Sequence, residues 1–219
     1  PQGEIALVTA QGVIIHYREQ GDGQPRSELS ATKRLVPTRL DPNAHPVLKS
    51  PNQPNEALPL TSIVATPAGD WYIGSSGRSA LVSRADEVRE ATSRPPRPYF
   101  LSAMFVDGDQ VWLGEQGNRQ TGGLWLLKGD SPVRQPLDTG GIAAIHGGSG
   151  ELWIGSSRQG VFLLKANVNK GADLVEHLTF ENTAGGLRSN TINAVFRDRE
   201  GVVWFGTDRG VCRYDRESR

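Results

Sequence analysis

The sequence predicts an all-β fold, and three observations carry that prediction. First, 26 Gly and 14 Pro among 219 residues are more turn-formers than helix interiors tolerate. Second, hydrophobic residues make up 37% and occur in short alternating runs, the period of a strand. Third, the chain repeats itself. The clearest unit runs Gly201-Val-Val-Trp204-Phe-Gly206-Thr-Asp-Arg-Gly210-Val-Cys-Arg-Tyr214. It returns as Gly150-Glu-Leu-Trp153-Ile-Gly155-Ser-Ser-Arg-Gln-Gly160-Val-Phe-Leu-Leu164. A third copy spans Gly108 to Gly114 around Trp112 and continues at Gly123-Leu-Trp125-Leu-Leu127. A fourth is Gly69-Asp-Trp-Tyr72-Ile-Gly74, continued at Ser79-Ala-Leu-Val82, and a weak fifth runs from Gly3 to Ile15 with Ala6 in the aromatic position. The aromatics at 72, 112, 153 and 204 are 40, 41 and 51 residues apart. A period of about 40–50 residues with several strands per unit predicts a β-propeller with five visible units.

Each unit resolves into the same elements. An apolar first strand opens it (Ile63-Val64, Leu101 to Phe105, Ile142 to His146, Ile192 to Phe196). A polar turn follows, as in Asp198-Arg-Glu-Gly201, then the aromatic strand, a second polar turn and a third apolar strand. Fourth strands are predicted at Val133–Leu137 and Leu174–Leu178, and an outer pair between Leu81 and Val88. Within Val203-Trp204-Phe205-Gly206, Trp204 and Gly206 share one face, and Val203 and Phe205 the other. Propeller sheets pack face to face, so both faces are apolar, and a glycine beside a large ring admits the next sheet closely. Tyr72, Trp112, Trp153 and Trp204 are therefore expected between sheets. Residues 21–58 carry six prolines, with Pro59 directly after, and break the pattern, which predicts a surface excursion containing one outer strand near 33–40.

Charge and composition exclude several functions. Lys+Arg and Asp+Glu are both 24, so there is no positive excess for general nucleic-acid binding or a polybasic membrane anchor. No apolar run is long enough for a membrane span. One cysteine excludes an internal disulfide framework and a cysteine-based zinc site. No cofactor motif is present: Gly117, Gly122 and Gly123 precede no helix and so form no phosphate loop. The four histidines, His16, His45, His146 and His177, show no zinc spacing. His146 is expected as a structural histidine near the end of a first strand. Asp107, Asp109, Asp198 and Glu200 supply too few carboxylates per turn for a calcium loop. Gly74-Ser-Ser and Gly155-Ser-Ser are turn residues, not nucleophile elbows, and Cys212 reads as a buried thiol. The chain does not begin with Met or with a signal-like segment, so it is expected to be a processed product or a fragment.

The stretch Leu187-Arg-Ser-Asn190-Thr-Ile-Asn-Ala-Val-Phe-Arg-Asp198-Arg-Glu-Gly201-Val-Val-Trp204-Phe-Gly206-Thr-Asp-Arg-Gly210-Val-Cys-Arg-Tyr-Asp215 closely resembles the two-component regulator propeller repeat. The units at Trp153 and Trp112 resemble its second half, and the two earliest units are weaker because Tyr72 and Ala6 replace the Trp. The resemblance implies a propeller in the periplasmic or extracellular sensor part of a bacterial membrane-bound regulator. It implies ligand sensing, carbohydrate among the ligands, with a downstream kinase or cyclase module in the full-length protein. The units fit either a small five-bladed ring or an arc of a larger one, and the resemblance implies the arc, with residues 1–219 as one propeller domain or part of one.

Candidate binding residues follow from the rim. The turn between second and third strands shares a rim with the entry to the first strand. Four of five such turns carry an Arg: Arg78, Arg119, Arg158 and Arg209, the first unit having Gln11 instead. Arg188, Ser189 and Asn190 join them from the last entry loop, and Tyr99 from an earlier one. Guanidiniums brought together would bind carboxylate, sulfate or phosphate, so a small anionic ligand such as an acidic sugar is expected. The competing consideration is that 19 of the 24 basic residues are Arg, and turns are solvated. The expected function is a non-catalytic sensing or interaction module. The alternatives are a secreted propeller enzyme such as a polysaccharide lyase, which needs a His or Tyr beside a rim Arg, and a scaffold with a flat rim.

Overall fold

A computed structural model of the chain describes residues 5–8, 14–19, 35–40, 49, 60–65, 71–75, 79–82, 88–90, 100–117, 122–128, 131–167 and 171–214. These residues form five antiparallel sheets in chain order and, among them, no helix. Sheet 1 holds β1 (Ile5–Val8), β2 (Ile14–Glu19) and β3 (Leu35–Leu40). Sheet 2 holds β4 (Leu60–Ala65), β5 (Trp71–Ser75), β6 (Ser79–Val82) and β7 (Val88–Glu90). Sheet 3 holds β8 (Phe100–Asp107), β9 (Gln110–Gln116), β10 (Gly123–Lys128) and β11 (Ser131–Arg134). Sheet 4 holds β12 (Ile142–Gly148), β13 (Glu151–Ser156), β14 (Val161–Asn167) and β15 (Gly171–Leu178). Sheet 5 holds β16 (Ile192–Arg197), β17 (Val203–Thr207) and β18 (Gly210–Tyr214). Each is a meander, and β4, β8, β12 and β16 contact one another in succession. This is the arrangement of β-propeller blades. Within the 21–58 segment, the described part is the strand β3 and residue 49; the rest of that segment lies outside the described residues. Pro37 sits in β3 and Pro132 in β11, both edge strands, where a missing N–H breaks no ladder bond.

The Trp-x-Gly pattern makes the joint between sheets. Trp153 and Gly155 lie on the face of sheet 4 turned to sheet 5, and a Cβ added to Gly155 would stand 2.6 Å from Ile192 Cγ2 and 3.1 Å from Val195 Cγ2. A Cβ on Gly114 would stand 2.6 Å from Ile142 Cγ2 and 3.2 Å from Ile145 Cδ1. On Gly74 it would stand 2.7 Å from Met104 Cε and 2.9 Å from Leu101 Cβ. Each glycine therefore seats two aliphatic side chains, three residues apart, from the first strand of the next sheet. The indole or phenol beside it is sealed: Tyr72 is 1% exposed, Trp112 0% and Trp153 1%. Three apolar clusters result. Tyr72 packs with Leu101, Val111 and Leu113. Trp112 packs with Ile142, Ile145, Leu152 and Ile154. Trp153 packs with Ile192, Val195, Val203 and Phe205.

A second device recurs at the joint. The first strand of sheets 2 to 5 carries a bulge at one register position, between Leu60 and Ser62, Leu101 and Ala103, Ile142 and Ala144, and Ile192 and Ala194. The residue inserted there is Thr61, Ser102, Ala143 or Asn193. The Thr61 hydroxyl donates to the carbonyls of Gly74 and Leu101, and that of Ser102 to those of Gly114 and Ile142. The aliphatic residue seated on the glycine is thus also held by its carbonyl. Ala143 has no such donor, and sheets 4 and 5 are bonded elsewhere, by Gly160 N–H to Asn190 O and by the Tyr214 hydroxyl to Glu176 Oε2 at 3.0 Å.

Trp204 departs from expectation. It is 36% exposed, because its face of sheet 5 carries no following sheet among the described residues, and its Nε1 donates to Asp198 Oδ2 at 2.9 Å. Asp198 also accepts the Glu200 and Val202 N–H groups, so it closes the turn between β16 and β17. The Trp204 hydrogen bond is the main reason its carboxyl lies below the usual range. Asp107 links sheets instead, accepting the Gly150 N–H at 2.8 Å.

His146 sits between Phe105 (centroids 5.5 Å apart) and Phe196 (5.7 Å), its Nδ1 buried with no hydrogen-bond partner. Burial, and secondarily Arg197, hold its pKa below the ordinary 6.5. The unfolded chain therefore binds more protons than the folded one below about pH 6.5, so this part of the stability is complete above that pH and is lost on acidification. Substituting His146→Phe, which continues the aromatic row, should flatten the fall in Tm between pH 7.5 and 5 measured by thermal denaturation. Gly155→Val, by overpacking Ile192, should cost about 1–3 kcal/mol in urea unfolding.

Candidate functional site

The rim turns form as the repeat requires. In the turn between β13 and β14, the buried Ser156 hydroxyl donates to Thr139 O at 2.9 Å and accepts the backbone N–H groups of Arg158 (3.2 Å) and Gln159 (3.1 Å). In the turn between β17 and β18, the Thr207 hydroxyl accepts the Arg209 N–H at 3.1 Å. A hydroxyl two residues before each arginine thus fixes the backbone that presents it. Arg158 and Arg209 are both exposed.

These turns are tied to the entries of the first strands. Ser157 donates to Gly141 O from its N–H (2.8 Å) and its hydroxyl (3.1 Å). Gly160 N–H donates to Asn190 O at 2.9 Å, joining the sheet-4 turn to the entry of sheet 5. Turn and entry therefore share one rim. Gly140, with φ +60°, and Gly141 let the backbone pass close to neighbouring turns; a Cβ on Gly122 would stand 2.6 Å from Gly140 O.

Between sheets 3 and 4 this rim encloses a cavity of about 630 Å³. Its walls are Gln116 and Gly117 from the end of β9, Gly140 and Gly141 from the entry to sheet 4, and Ser156 to Gln159 from the turn. Among the described residues, Arg158 brings the one charged group to this lining, and the remaining walls are amides, hydroxyls and backbone. Among the described residues, no His, Tyr, Cys or carboxylate belongs to it. Arg158 forms no ion pair with a described residue. The arrangement suits one anionic group amid several hydroxyls. The nearest rim histidine, His177, stacks on Phe162 (4.1 Å) and meets Gln159 O through Nε2 at 2.6 Å.

The other sequence candidates fall elsewhere. Arg78, Arg119, Gln11 and Tyr99 lie outside the described residues. Arg188 is exposed beside Arg209: its Cδ lies 3.6 Å from where a Gly210 Cβ would be, and its N–H donates to Cys212 Sγ at 3.2 Å. Asn190 spends its amide on the loop before it. Its Oδ1 accepts the Phe180 N–H (2.7 Å), and its Nδ2 donates to both Glu181 oxygens (3.2 and 3.0 Å). The first of these bonds to lower the Glu181 pKa is that from Asn190. Ser189 is buried, its hydroxyl accepting the Thr191 N–H. The sequence marks Ser156 as a turn residue only and gives no sign of Gln116, Gly140 or Gly141. The hydroxyl after the Trp-x-Gly, Ser156 or Thr207, was the available signal. No group of three or more metal-ligating side chains occurs among the described residues.

Residues 186–209 match the family model of the two-component regulator propeller. No curated protein matches the chain. Among solved structures it is similar to the extracellular domain of a candidate one component system from B. thetaiotaomicron, at 18% identity and TM-score 0.65, over 97% of this chain and 26% of that one. It is also similar to the extracellular domain of a candidate hybrid two component system from B. thetaiotaomicron, at 18% identity and TM-score 0.64, over 96% of this chain and 25% of that one. A luciferin-regenerating enzyme shares the fold at 11% identity and TM-score 0.64, over 98% of this chain and 69% of that one. The chain thus spans about a quarter of the bacterial extracellular domains it matches. Among the described residues, no helix is long and apolar enough to cross a membrane.

Removing the Ser156 hydroxyl leaves two backbone donors and one carbonyl without their partner. Ser156→Ala should cost about 2 kcal/mol in chemical denaturation and raise amide exchange at Arg158 and Gln159.

Proposed function

We propose that this propeller is a non-catalytic sensory module of a bacterial signal-transduction protein. It acts outside the cytoplasm and captures a small anionic carbohydrate in the rim cavity between sheets 3 and 4. The observation that carries the reading is the cavity itself: among the described residues, one exposed guanidinium, held by the Ser156 turn, amid neutral hydrogen-bonding walls. A uronic-acid or sulfated sugar offers one anion for Arg158 and hydroxyls for Gln116, Ser157 and Gln159. The repeat at 186–209 and the likeness to extracellular domains of signalling systems support the sensor role. In the full-length protein, a kinase or cyclase module would receive the signal. Among the described residues the lining brings no His or Tyr to the Arg, which favours capture over the lyase alternative. A cavity of this size also disfavours a flat scaffold.

A panel of acidic and neutral oligosaccharides, read by calorimetry, tests this. An acidic member should bind, its neutral counterpart should not, and Arg158→Ala should weaken binding about tenfold or more, as loss of a charge-assisted contact predicts. Arg158→Lys should recover only part of it, because an ammonium cannot make the bidentate pair. Binding indifferent to Arg158, or selective for neutral sugars, would overturn the site.

A further inference from the structure

The turn that presents Arg158 is held from outside the cavity as well as from within it. A Cβ built on Gly160, which has φ +78°, would stand 2.1 Å from Leu178 O, so the turn runs against the end of β15. That approach brings the Gln159 carbonyl to His177. The carbonyl lies outside the β13–β14 ladder, and no backbone N–H among the described residues bonds it. His177 Nε2 bonds it instead, at 2.6 Å. A carbonyl only accepts, so Nε2 carries the proton. The donating ring is itself fixed. It faces Phe162 across the β14–β15 ladder and stacks on it, with centroids 4.1 Å apart and planes 8° from parallel. The His177 carbonyl accepts from Asn182 Nδ2 at 2.7 Å, and Asn182 Oδ1 in turn accepts the Thr179 N–H.

We infer that His177 is a positioning residue for the rim cavity, an inference that rests on reading this cavity as a capture site. Gln159 is held at both ends of its backbone, its N–H by Ser156 Oγ at 3.1 Å and its carbonyl by His177. Its side-chain amide stays uncommitted. The amide forms no hydrogen bond with a described residue, and its Nε2 lies 2.8 Å from where a Gly140 Cβ would be, against the wall formed by the entry to sheet 4. A fixed backbone carrying an uncommitted amide suits a specificity group, because less conformational entropy is lost when a ligand arrives. Arg158 attracts the anion, and Gln159 reads a hydroxyl beside it. His177 is not part of the lining and acts through Gln159. Stacking on Phe162 needs only an aromatic ring; a histidine adds the donor that reaches the turn.

Long-range 15N–1H correlation of the unsubstituted protein should find the neutral His177 imidazole protonated at Nε2, a reading that needs no variant to fold. A proton on Nδ1 overturns the inference. His177→Phe keeps a ring on Phe162 and removes the donor, whereas His177→Gln restores a donor at the reach of Nε2. Amide exchange at Gln159 and Gly160 should rise in His177→Phe and fall back in His177→Gln, while Val161 and Phe162 in β14 keep their protection in His177→Phe. In calorimetry with trigalacturonate, His177→Phe should weaken binding about fivefold, as loss of one neutral hydrogen bond predicts, and His177→Gln should recover it. Unchanged exchange at Gln159 and Gly160, or an affinity indifferent to the donor, overturns the inference. So does a rise in exchange spread evenly along β14 and β15, which marks a purely structural histidine. Absence of trigalacturonate binding, or binding indifferent to Arg158→Ala, counts against the capture reading alone; the tautomer and exchange results decide in either event whether His177 holds the turn.

Discussion

The structure depends on one contact: an aliphatic pair from the first strand of each sheet seated on the glycine beside the preceding sheet's aromatic ring. Without a Cβ at Gly74, Gly114 and Gly155, adjacent sheets approach to within van der Waals contact of the backbone. That approach dries Tyr72, Trp112 and Trp153. Burying such rings contributes more than any hydrogen bond nearby. The cost is that Trp112 and Trp153 leave their Nε1 groups buried without partners. Apolar burial must outweigh that penalty for the joint to hold. The Thr61 and Ser102 hydroxyls then fix register, and fixing register aligns the rim turns of successive sheets.

The rim inherits its precision from this packing. Strand ends that cannot slip place Gln116 and Gly117 of sheet 3 opposite Gly141 and Ser157 of sheet 4. The turn itself adds little freedom, because Ser156 and Ser157 tie it to the entry strand on both sides. A ligand held there would touch two sheets at once. Capture would therefore bear on the relative placement of the sheets, which gives a non-catalytic module a physical route for signalling.

Much of this was legible in the sequence, and the exceptions are instructive. The alternation in Val203-Trp204-Phe205-Gly206 assigns faces correctly because a strand's period is exact. The repeat places the turns, and with them Arg158 and Arg209 on one rim. The pattern places Trp204 in the core, but its burial is decided by a neighbouring sheet and not by its own strand. The bulge residues went unread, since a single Thr or Ser within a strand carries no local signal and its partner carbonyl is about 40 residues away. The cavity was only half visible: its arginine stands in a recognisable turn, while Gly140 and Gly141 matter for the close approach they permit. Asn190 looked available at the rim and is instead spent on Phe180 and Glu181.

Sensing at a rim cavity set by sheet packing is tested most directly by hydrogen exchange with and without an acidic oligosaccharide. Ligand should protect residues 116–117, 140–141 and 156–159 together, because they line one cavity from two sheets, and leave the turn at 198–201 on the opposite rim unchanged. Protection confined to the opposite rim, or absent from either wall of the cavity, would contradict it.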